Sequence, residues 1–195
     1  MKKLIIATNN QGKVKEIKAI LGSFYDEILS LKDAGIVADV VEDGNSFYEN
    51  ARKKAVTISE MVDGDVLADD SGLCVDALDG APGIYSARFS GEDATDEKNN
   101  VKLVSLLQGK EDRTARFVCA LVMANNGAEK IFVEDSVEGE IIDVPQGENG
   151  FGYDPLFYVK QYEQTFAQIP AEEKNKISHR AKALKKLQDE VEKQA

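Results

Sequence analysis

Two adjacent carboxylates lie between two short apolar runs near the middle of the chain. The runs are Val66-Leu67-Ala68 and Leu73-Cys74-Val75-Asp76-Ala77-Leu78, and Asp69-Asp70-Ser71-Gly72 separates them. Apolar runs of this length are typical of buried strands, and Ser-Gly is typical of a turn. The pattern predicts two strands with a break at Ser71-Gly72, so that both acids lie where the first strand ends.

The position of Asp69 and Asp70 suggests a ligand site. In an α/β sheet, ligands bind outside the carboxyl ends of the strands. Neighbouring side chains in a strand point to opposite faces, so the two acids are expected to have different roles. The alternative is a solvated turn, because Asp, Ser and Gly are common turn residues.

Composition narrows the class of protein. A chain of 195 residues with 43% hydrophobic residues suits one domain, or one domain in two lobes. The formal net charge of −11 argues against binding to a nucleic-acid backbone. One histidine excludes a multi-histidine metal site, and Cys74 and Cys119 are predicted to be buried thiols.

The beginning of the chain predicts a strand followed by a polar loop. No apolar run approaches the ~18 residues of a membrane span, and the run before Thr8 is too short for a signal peptide. We therefore expect a cytoplasmic protein without a membrane segment. Residues 3–7 read as a strand, 8–13 as a polar loop, and Val14, Ile17 and Leu21 as a helix stripe. A strand, a polar loop and a helix in this order can cradle phosphate.

The rest of the chain alternates strands and helices. Ser46 and Glu49 have capping-box spacing, which predicts a helix to about Met61. Ser178 is a plausible N-cap, which places His179 and Arg180 in a first turn, where cations oppose the helix dipole. The other predictions are strands at 27–31, 115–124, 130–133 and 139–144, a helix at 95–107, a glycine-rich loop at 145–152 and a final helix to about 193.

Polar groups at predicted strand ends and helix starts combine three kinds of chemistry. Carboxylates suggest Mg²⁺, which proteins hold with one or two acids and substrate phosphates. Basic residues with a polar loop suggest a polyphosphate, and an aromatic residue in a glycine-rich loop suggests a stacked ring. Together they indicate a nucleotide and metal-assisted hydrolysis. These groups are Thr8, Asn10, Lys13, Glu42, Asp69, Asp70, Ser71, Arg88, Phe151, Asp154, Lys176, His179 and Arg180.

Six motifs in order give the chain a resemblance to a known family, the inosine/xanthosine triphosphate pyrophosphatases. Each motif is weak alone, but the set covers nearly the whole chain. They are Thr8-Asn9-Asn10-Gln11-Gly12-Lys13, Ser46-Phe47-Tyr48-Glu49-Asn50-Ala51, Asp69-Asp70-Ser71-Gly72-Leu73, Gly80-Ala81-Pro82-Gly83-Ile84-Tyr85-Ser86-Ala87-Arg88, Phe151-Gly152-Tyr153-Asp154-Pro155 and Ser178-His179-Arg180.

The resemblance implies an α/β fold and a house-cleaning activity. The implied fold is an elongated, two-lobed domain over residues 1–195, with a long mixed central sheet flanked by helices and an active cleft between the lobes. The implied reaction is Mg²⁺-dependent hydrolysis of the deaminated purine nucleotides ITP, dITP and XTP to the monophosphate and pyrophosphate. A homodimer is also implied.

The resemblance also implies roles for individual residues. Asp70 is the general base and a metal ligand, Glu42 is a second metal ligand, and Asp69 assists. Residues expected at the phosphates are Thr8, Asn9, Asn10, Gln11, Gly12, Lys13, Lys54, Ser71 and Arg88. Residues expected around the base are Phe151, Gly152, Tyr153, Asp154, Lys176, His179 and Arg180. Donors among the latter would favour 6-keto purines over adenine.

Two other functions remain open at this stage. The chain could hydrolyse different nucleotides, such as modified pyrimidine triphosphates, on a similar fold. It could also be a nucleotide-binding sensor without catalysis, although Glu42, Asp70 and Lys13 argue against a sensor, which needs no base beside a metal. A nucleic-acid-binding module is disfavoured by the net charge.

Overall fold

The computed structural model describes residues 1–194 and contains strands and helices in alternation along the first half of the chain. The strands are β1 (Lys3–Ile6), β2 (Glu27–Ser30), β3 (Asp65–Val75), β4 (Thr114–Asn125), β5 (Ala128–Ile141), β6 (Phe157–Val159) and β7 (Gln164–Thr165). The α-helices are α1 (Gln11–Leu21), α2 (Phe47–Ser59), α3 (Asp96–Leu107), α4 (Ala171–Ile177) and α5 (His179–Gln194).

The strands form one mixed sheet in the order β2-β1-β3-β4-β5-β6-β7. Strand β1 pairs in parallel with β2 and β3, whereas β6 pairs antiparallel with β5 and β7. Residues 4–6 of β1 are all buried, which is typical of a strand covered on both faces. The predicted α/β fold with a mixed sheet and flanking helices is confirmed.

Strand β3 corrects the expectation of a turn between the two apolar runs. It runs without interruption through Asp69-Asp70-Ser71-Gly72, so the predicted break is wrong. Leu73 and Val75 beyond the acids are fully buried, and the Leu73 N–H donates to Ser86 Oγ at 2.9 Å. Burial of Leu73 and Val75 and this side-chain acceptor keep the strand extended as far as Val75. The rest of the second run, Asp76–Leu78, forms a 3₁₀-helix instead of the predicted strand.

The chain divides into two compact units, and β3, β4 and β5 contribute residues to both. The first unit contains residues 1–70 and 119–135 together with the chain from Ala183. Its core combines apolar residues of the sheet with the buried stripes of α1 and α5. This packing fixes the N-terminus of α1 relative to the end of β1.

The second unit contains residues 71–118 and 136–182. In its core, Leu103 and Leu107 of α3 pack with aromatic residues of the sheet and with one that directly follows β7. Phe117 contacts Phe157 at 4.5 Å and stacks on Phe166 at 5.8 Å between ring centroids. These ring contacts join β4, β6 and the residue after β7 in one core.

Several helix starts agree with the predicted caps. Ser46 Oγ accepts from the Glu49 N–H at 3.1 Å, and Ser178 Oγ accepts from the Ala181 N–H at 3.2 Å. Helix α1 begins earlier than predicted, at Gln11, so the second half of the expected loop is its first turn. Asn10 permits the early start because its side chain is the N-cap.

Other elements differ from the prediction in extent. Strand β5 joins the predicted strands at 130–133 and 139–144 into one, ending at Ile141, and α4 was not predicted. Cys74 and Cys119 form no disulfide, and Cys119 is buried. Within residues 1–194, no helix is both long enough and apolar enough to cross a membrane.

Candidate active site

The loop after β1 is held in shape by its own side chains. Asn10 Oδ1 accepts from the N–H groups of Gly12 at 3.0 Å and Lys13 at 3.2 Å. Thr8 Oγ1 accepts from the Asn10 N–H, and Asn9 Oδ1 accepts from the Lys32 N–H. The first turn of α1 contains no acidic residue, so its positive end suits an anion.

Asp69 is tied to two lysines. Lys13 Nζ lies 2.6 Å from Asp69 Oδ2, and the two side chains are only 22% and 10% exposed. Lys54 Nζ donates to the backbone oxygen of Asp69 at 3.2 Å. The charge of Asp69 is therefore compensated, and the ion pair fixes the position of the ammonium group of Lys13, a residue in the first turn of α1.

Asp70 lies in a different environment from its neighbour. Burial, together with the nearby charges of Glu42 and Asp69, raises the pKa of its carboxyl to about 6, although Asn50 and Lys54 oppose the shift. Its Oδ2 is buried and accepts no hydrogen bond from any residue between 1 and 194. A carboxylate in this state is a good proton acceptor near neutral pH.

Glu42 completes a cluster of opposite charges in the first unit. Its carboxylate forms an ion pair with Lys54, whereas Lys53 pairs with the exposed Asp43. We call the set Lys13, Glu42, Lys54, Asp69 and Asp70 the carboxylate–lysine cluster. Lys53 belongs to a solvated pair, as expected from its sequence context.

The second unit contains another cluster, around Asp154. Asp154 is 3% exposed, and its Oδ2 accepts from Lys174 Nζ at 2.5 Å and from the Phe151 N–H at 3.1 Å. The Lys174 ammonium also lies 5.0 Å from the Phe151 ring centroid and 5.5 Å from that of Phe166. We call these four residues the aromatic–lysine cluster.

The glycine-rich loop reaches this geometry because Gly150 leaves room for the Asp154 carboxylate. Gly150 has φ +73°, and a Cβ there would lie 2.0 Å from Asp154 Oδ2. The Gly152 N–H donates to Asp96 at 2.8 Å, and its oxygen accepts from Asn100 at 3.1 Å. The first turns of α3 therefore hold the loop that presents Phe151, which is 61% exposed.

A groove borders the same loop within the second unit. Its volume is about 640 Å³, and it is lined by α3 and by residues 148–152 among others. Its walls combine carboxylates such as Asp96 and Glu148 with apolar side chains such as Val101 and Phe151. One edge of Phe151 is thus accessible from an open cavity.

The other predicted base-contacting residues occupy varied positions in the second unit. The His179 ring stacks on Phe117 with centroids 5.0 Å apart and an interplanar angle of 15°. The Tyr153 hydroxyl is buried and donates to the Ser86 oxygen at 2.6 Å. Lys176 is 69% exposed and pairs with Glu173. Arg88, which was predicted as a phosphate contact, is exposed and lies over the Tyr85 ring.

Comparison with known proteins identifies the family of the chain. The Ham1 family model matches residues 4–190. The chain belongs to the Ham1 family. A relative from Bacillus licheniformis named dITP/XTP pyrophosphatase is 54% identical, and the alignment covers 96% of each chain.

Solved Ham1 structures share the fold. The Ham1 protein of Staphylococcus aureus has a TM-score of 0.93 at 43% identity, and the HAM1 protein of Coxiella burnetii has a TM-score of 0.93 at 36% identity. Both comparisons cover 100% of each chain. The resemblance predicted from the six motifs is confirmed.

In this Ham1 chain, sequence reasoning overlooked Lys174 and Asn50 as site residues. Lys174 lies in α4, and without that helix the pattern does not distinguish it from Lys176. Asn50 lies within the motif of α2 and is 1% exposed. A buried amide on an amphipathic helix is unusual, since Asn is mostly exposed, and this signal could have identified Asn50.

Proposed function

We propose that this chain is a nucleoside triphosphate pyrophosphatase that hydrolyses dITP, XTP and ITP to the monophosphate and pyrophosphate with Mg²⁺. The carboxylate–lysine cluster would bind and cleave the triphosphate, and the aromatic–lysine cluster would recognise the base. The observation that carries the proposal is the half-buried carboxylate of Asp70, with its Oδ2 buried, beside Glu42 and Lys54. The sequence similarity to dITP/XTP pyrophosphatases supports the substrate class.

Asp70 is proposed as the general base. Its carboxyl has a pKa of about 6, chiefly because of burial, so it is mostly ionised at neutral pH and still able to accept a proton. In this role it takes the proton of the water that attacks the α-phosphorus, and the bond to the β-phosphate oxygen breaks. General base catalysis of this kind contributes about 10²–10⁴-fold.

The residues of the first unit fit Mg²⁺. Glu42 and Asp70 provide two carboxylates, and the Asp70 Oδ2 is buried without a hydrogen-bond donor among residues 1–194. Proteins typically hold Mg²⁺ with one or two carboxylates, while the cation keeps several waters and binds substrate phosphates. When bound, Mg²⁺ would neutralise phosphate charge and lower the pKa of a bound water.

Basic groups of the first unit are proposed to bind the phosphates. Lys13 stands in the first turn of α1, next to the capped N-terminus, and Lys54 lies between Glu42 and the Asp69 backbone. Their ammonium groups would stabilise the charge that develops on pyrophosphate as it leaves. Thr8, Asn9, Asn10, Gln11, Gly12, Ser71 and Arg88 remain predicted phosphate contacts.

The second unit is proposed to recognise a 6-keto purine. Phe151 offers an exposed ring for stacking, and Lys174, His179 and Arg180 offer donors for a keto oxygen. We assign Lys174 to this role in place of Lys176, because Lys174 is held against Phe151 whereas Lys176 is solvated. Adenine presents an amino donor at the same position and would leave these donors unmatched.

The test is pyrophosphate release from a panel of nucleotides with and without Mg²⁺. The panel is dITP, XTP, ITP, GTP, dATP, dUTP and a modified pyrimidine triphosphate, with monophosphate followed by chromatography. We expect Mg²⁺-dependent release from the first three and at least a hundredfold less from dATP. A preference for the modified pyrimidine, or no turnover of any nucleotide, would overturn the proposal.

The assembly and location of the protein remain predictions. The family resemblance predicts a homodimer, which light scattering of the purified protein would test. Cell fractionation would test the predicted cytoplasmic location. The predicted lack of nucleic-acid binding can be tested by gel shift with duplex DNA and RNA.

A further inference from the structure

Asn50 is a buried amide between the two proposed metal-binding carboxylates along the chain. It is 1% exposed in α2, and its Oδ1 accepts from the Gly44 N–H at 2.7 Å. Buried side-chain amides are nearly always hydrogen-bonded, and leaving one unsatisfied is costly. This contact links α2 to the loop that carries Glu42, two residues before Gly44.

Gly44 permits the contact because it has no side chain. A Cβ at this position would lie 2.7 Å from Asn50 Oδ1 and 2.8 Å from the Glu49 Cβ. Non-bonded contacts of a Cβ atom are essentially never shorter than about 3.0 Å. Any residue other than glycine at position 44 would therefore displace the loop or the helix. The close approach therefore requires both partners, a glycine in the loop and an asparagine in the helix.

The same side chain also faces Asp70. Asn50 is also a side-chain hydrogen-bond partner of the Asp70 carboxylate. An amide can accept with its oxygen and donate with its nitrogen. One side chain thus contacts the loop of Glu42 and the carboxylate of Asp70.

We propose that Asn50, together with Gly44, is a positioning residue that sets the spacing of Glu42 and Asp70 for a divalent cation. The inference rests on the proposed function and deepens it. Outer partners that orient metal-binding carboxylates typically change metal affinity or activity by about 10–100-fold when removed. A purely structural role would lower thermal stability without changing the response to the cation.

The experiment compares three variants with a matched control. Asn50→Ala removes the amide, Gly44→Ala obstructs the contact from the other side, and the double variant combines the two changes. Ser59→Ala is the control, because Ser59 is also a 1% exposed residue of α2 whose Oγ accepts from a backbone N–H, that of Gly127, at 3.0 Å.

Four readouts are measured for each protein. Mn²⁺ binding without nucleotide is followed by electron paramagnetic resonance, and the hydrolysis of dITP is titrated with Mg²⁺ to separate kcat from KM. Amide hydrogen exchange reports on residues 42–45. Melting temperatures place the four variants on a common scale of destabilisation.

We expect Asn50→Ala and Gly44→Ala each to weaken Mn²⁺ binding and raise the half-saturating Mg²⁺ concentration about tenfold or more. The KM for dITP at saturating Mg²⁺ should change less than threefold, and residues 42–45 should exchange faster. The double variant should be no worse than the worse single variant, because both act on one contact. Ser59→Ala should lower the melting temperature only.

Mn²⁺ binding and exchange like those of wild type in Asn50→Ala would overturn the positioning role. Additive effects in the double variant would also overturn it, since they would show that the two residues act separately. Failure of the proposed function is distinguishable, because it would abolish dITP hydrolysis in the wild type. The Mn²⁺ and exchange measurements do not depend on that activity.

Discussion

The two clusters treat their central carboxylates in opposite ways. Asp154 is almost fully buried but satisfied, because Lys174 and the Phe151 N–H both donate to its Oδ2. Asp70 is half-buried, its Oδ2 is buried without a donor in residues 1–194, and the nearby charge of Glu42 adds to its raised pKa. The arrangement around Asp154 stabilises the local structure. The arrangement around Asp70 leaves one carboxylate oxygen without a donor and able to accept a proton.

This difference suggests how the work is divided between the clusters. A recognition surface benefits from rigid, satisfied groups, because little ordering is then needed on binding. A reacting group benefits from a pKa close to the working pH, which burial and like charges provide at a cost in stability. We therefore expect substitutions in the carboxylate–lysine cluster to affect kcat, and those in the aromatic–lysine cluster to affect substrate choice and KM.

The largest expected effect comes from Asp70→Asn. This change keeps the size of the side chain but removes the proton acceptor, so kcat for dITP should fall about 10³-fold, with KM within threefold. Circular dichroism should show an intact fold. Asp43→Asn, which alters an exposed acid paired with Lys53, is the control and should retain activity. Substantial turnover by Asp70→Asn would place the base elsewhere.

Lys174→Met should have the next largest effect, on discrimination between bases. The ratio of kcat/KM for dITP over dATP should fall about 10–100-fold, the value of one or two hydrogen bonds from a charged donor. Lys176→Met is the matched control, because its ammonium is solvated, and should stay within twofold. Equal losses in both variants would contradict the assignment of Lys174.

Lys174→Met should also destabilise the second unit, because Asp154 would be left buried without its counter-ion. Adding Asp154→Asn should recover much of the melting temperature. The discrimination between dITP and dATP should not recover in the double variant. Recovery of both properties together would mean that Lys174 serves stability alone.

Phe151→Ala should have a moderate effect on substrate binding. Stacking of a base on an aromatic ring is worth about 1–3 kcal/mol, so KM for dITP should rise about tenfold while kcat changes little. The ring is 61% exposed, and its loss should leave the melting temperature unchanged. A fall in kcat with constant KM would contradict the proposed division between the clusters.

Local patterns in the sequence predicted several of the helices and their first residues. The capping residues Ser46 and Ser178 and the apolar stripe of α1 are determined by neighbours within a few residues, and the structure has them as expected. The continuity of β3 was not predictable in this way, because the acceptor for the Leu73 N–H is Ser86, 13 residues further along. The turn propensity of Ser71-Gly72 is overridden by that contact and by burial.

Prediction of the candidate site from the sequence was limited in the same way. Asp69, Asp70 and Glu42 were predicted from motif and residue type. The assignment of Lys174 in place of Lys176 depends on its contact with Asp154, which is 20 residues away. Asn50 acquires its importance from Gly44 and Asp70, which are its neighbours only in the folded chain. Residue types indicated the chemistry, whereas the supporting residues depend on tertiary contacts.

The smallest expected effect concerns the stability of the free protein. The pKa of Asp70 is raised from 3.8 to about 6 in the folded state, so the folded state binds the proton more tightly and ionisation costs stability as pH rises from about 4 to 6. Allowing for partial exposure of the side chain, Asp70→Asn should be about 1–2 kcal/mol more stable than wild type at pH 7.5. This gap should close toward pH 4, where the side chain at position 70 is neutral in the folded state of both proteins.

Urea denaturation in EDTA measures this difference in stability, with Glu111→Gln, a change of an exposed acid, as the control for net charge. A gap that does not depend on pH would mean that burial of the Asp70 charge is not what distinguishes the carboxylate–lysine cluster from the satisfied Asp154.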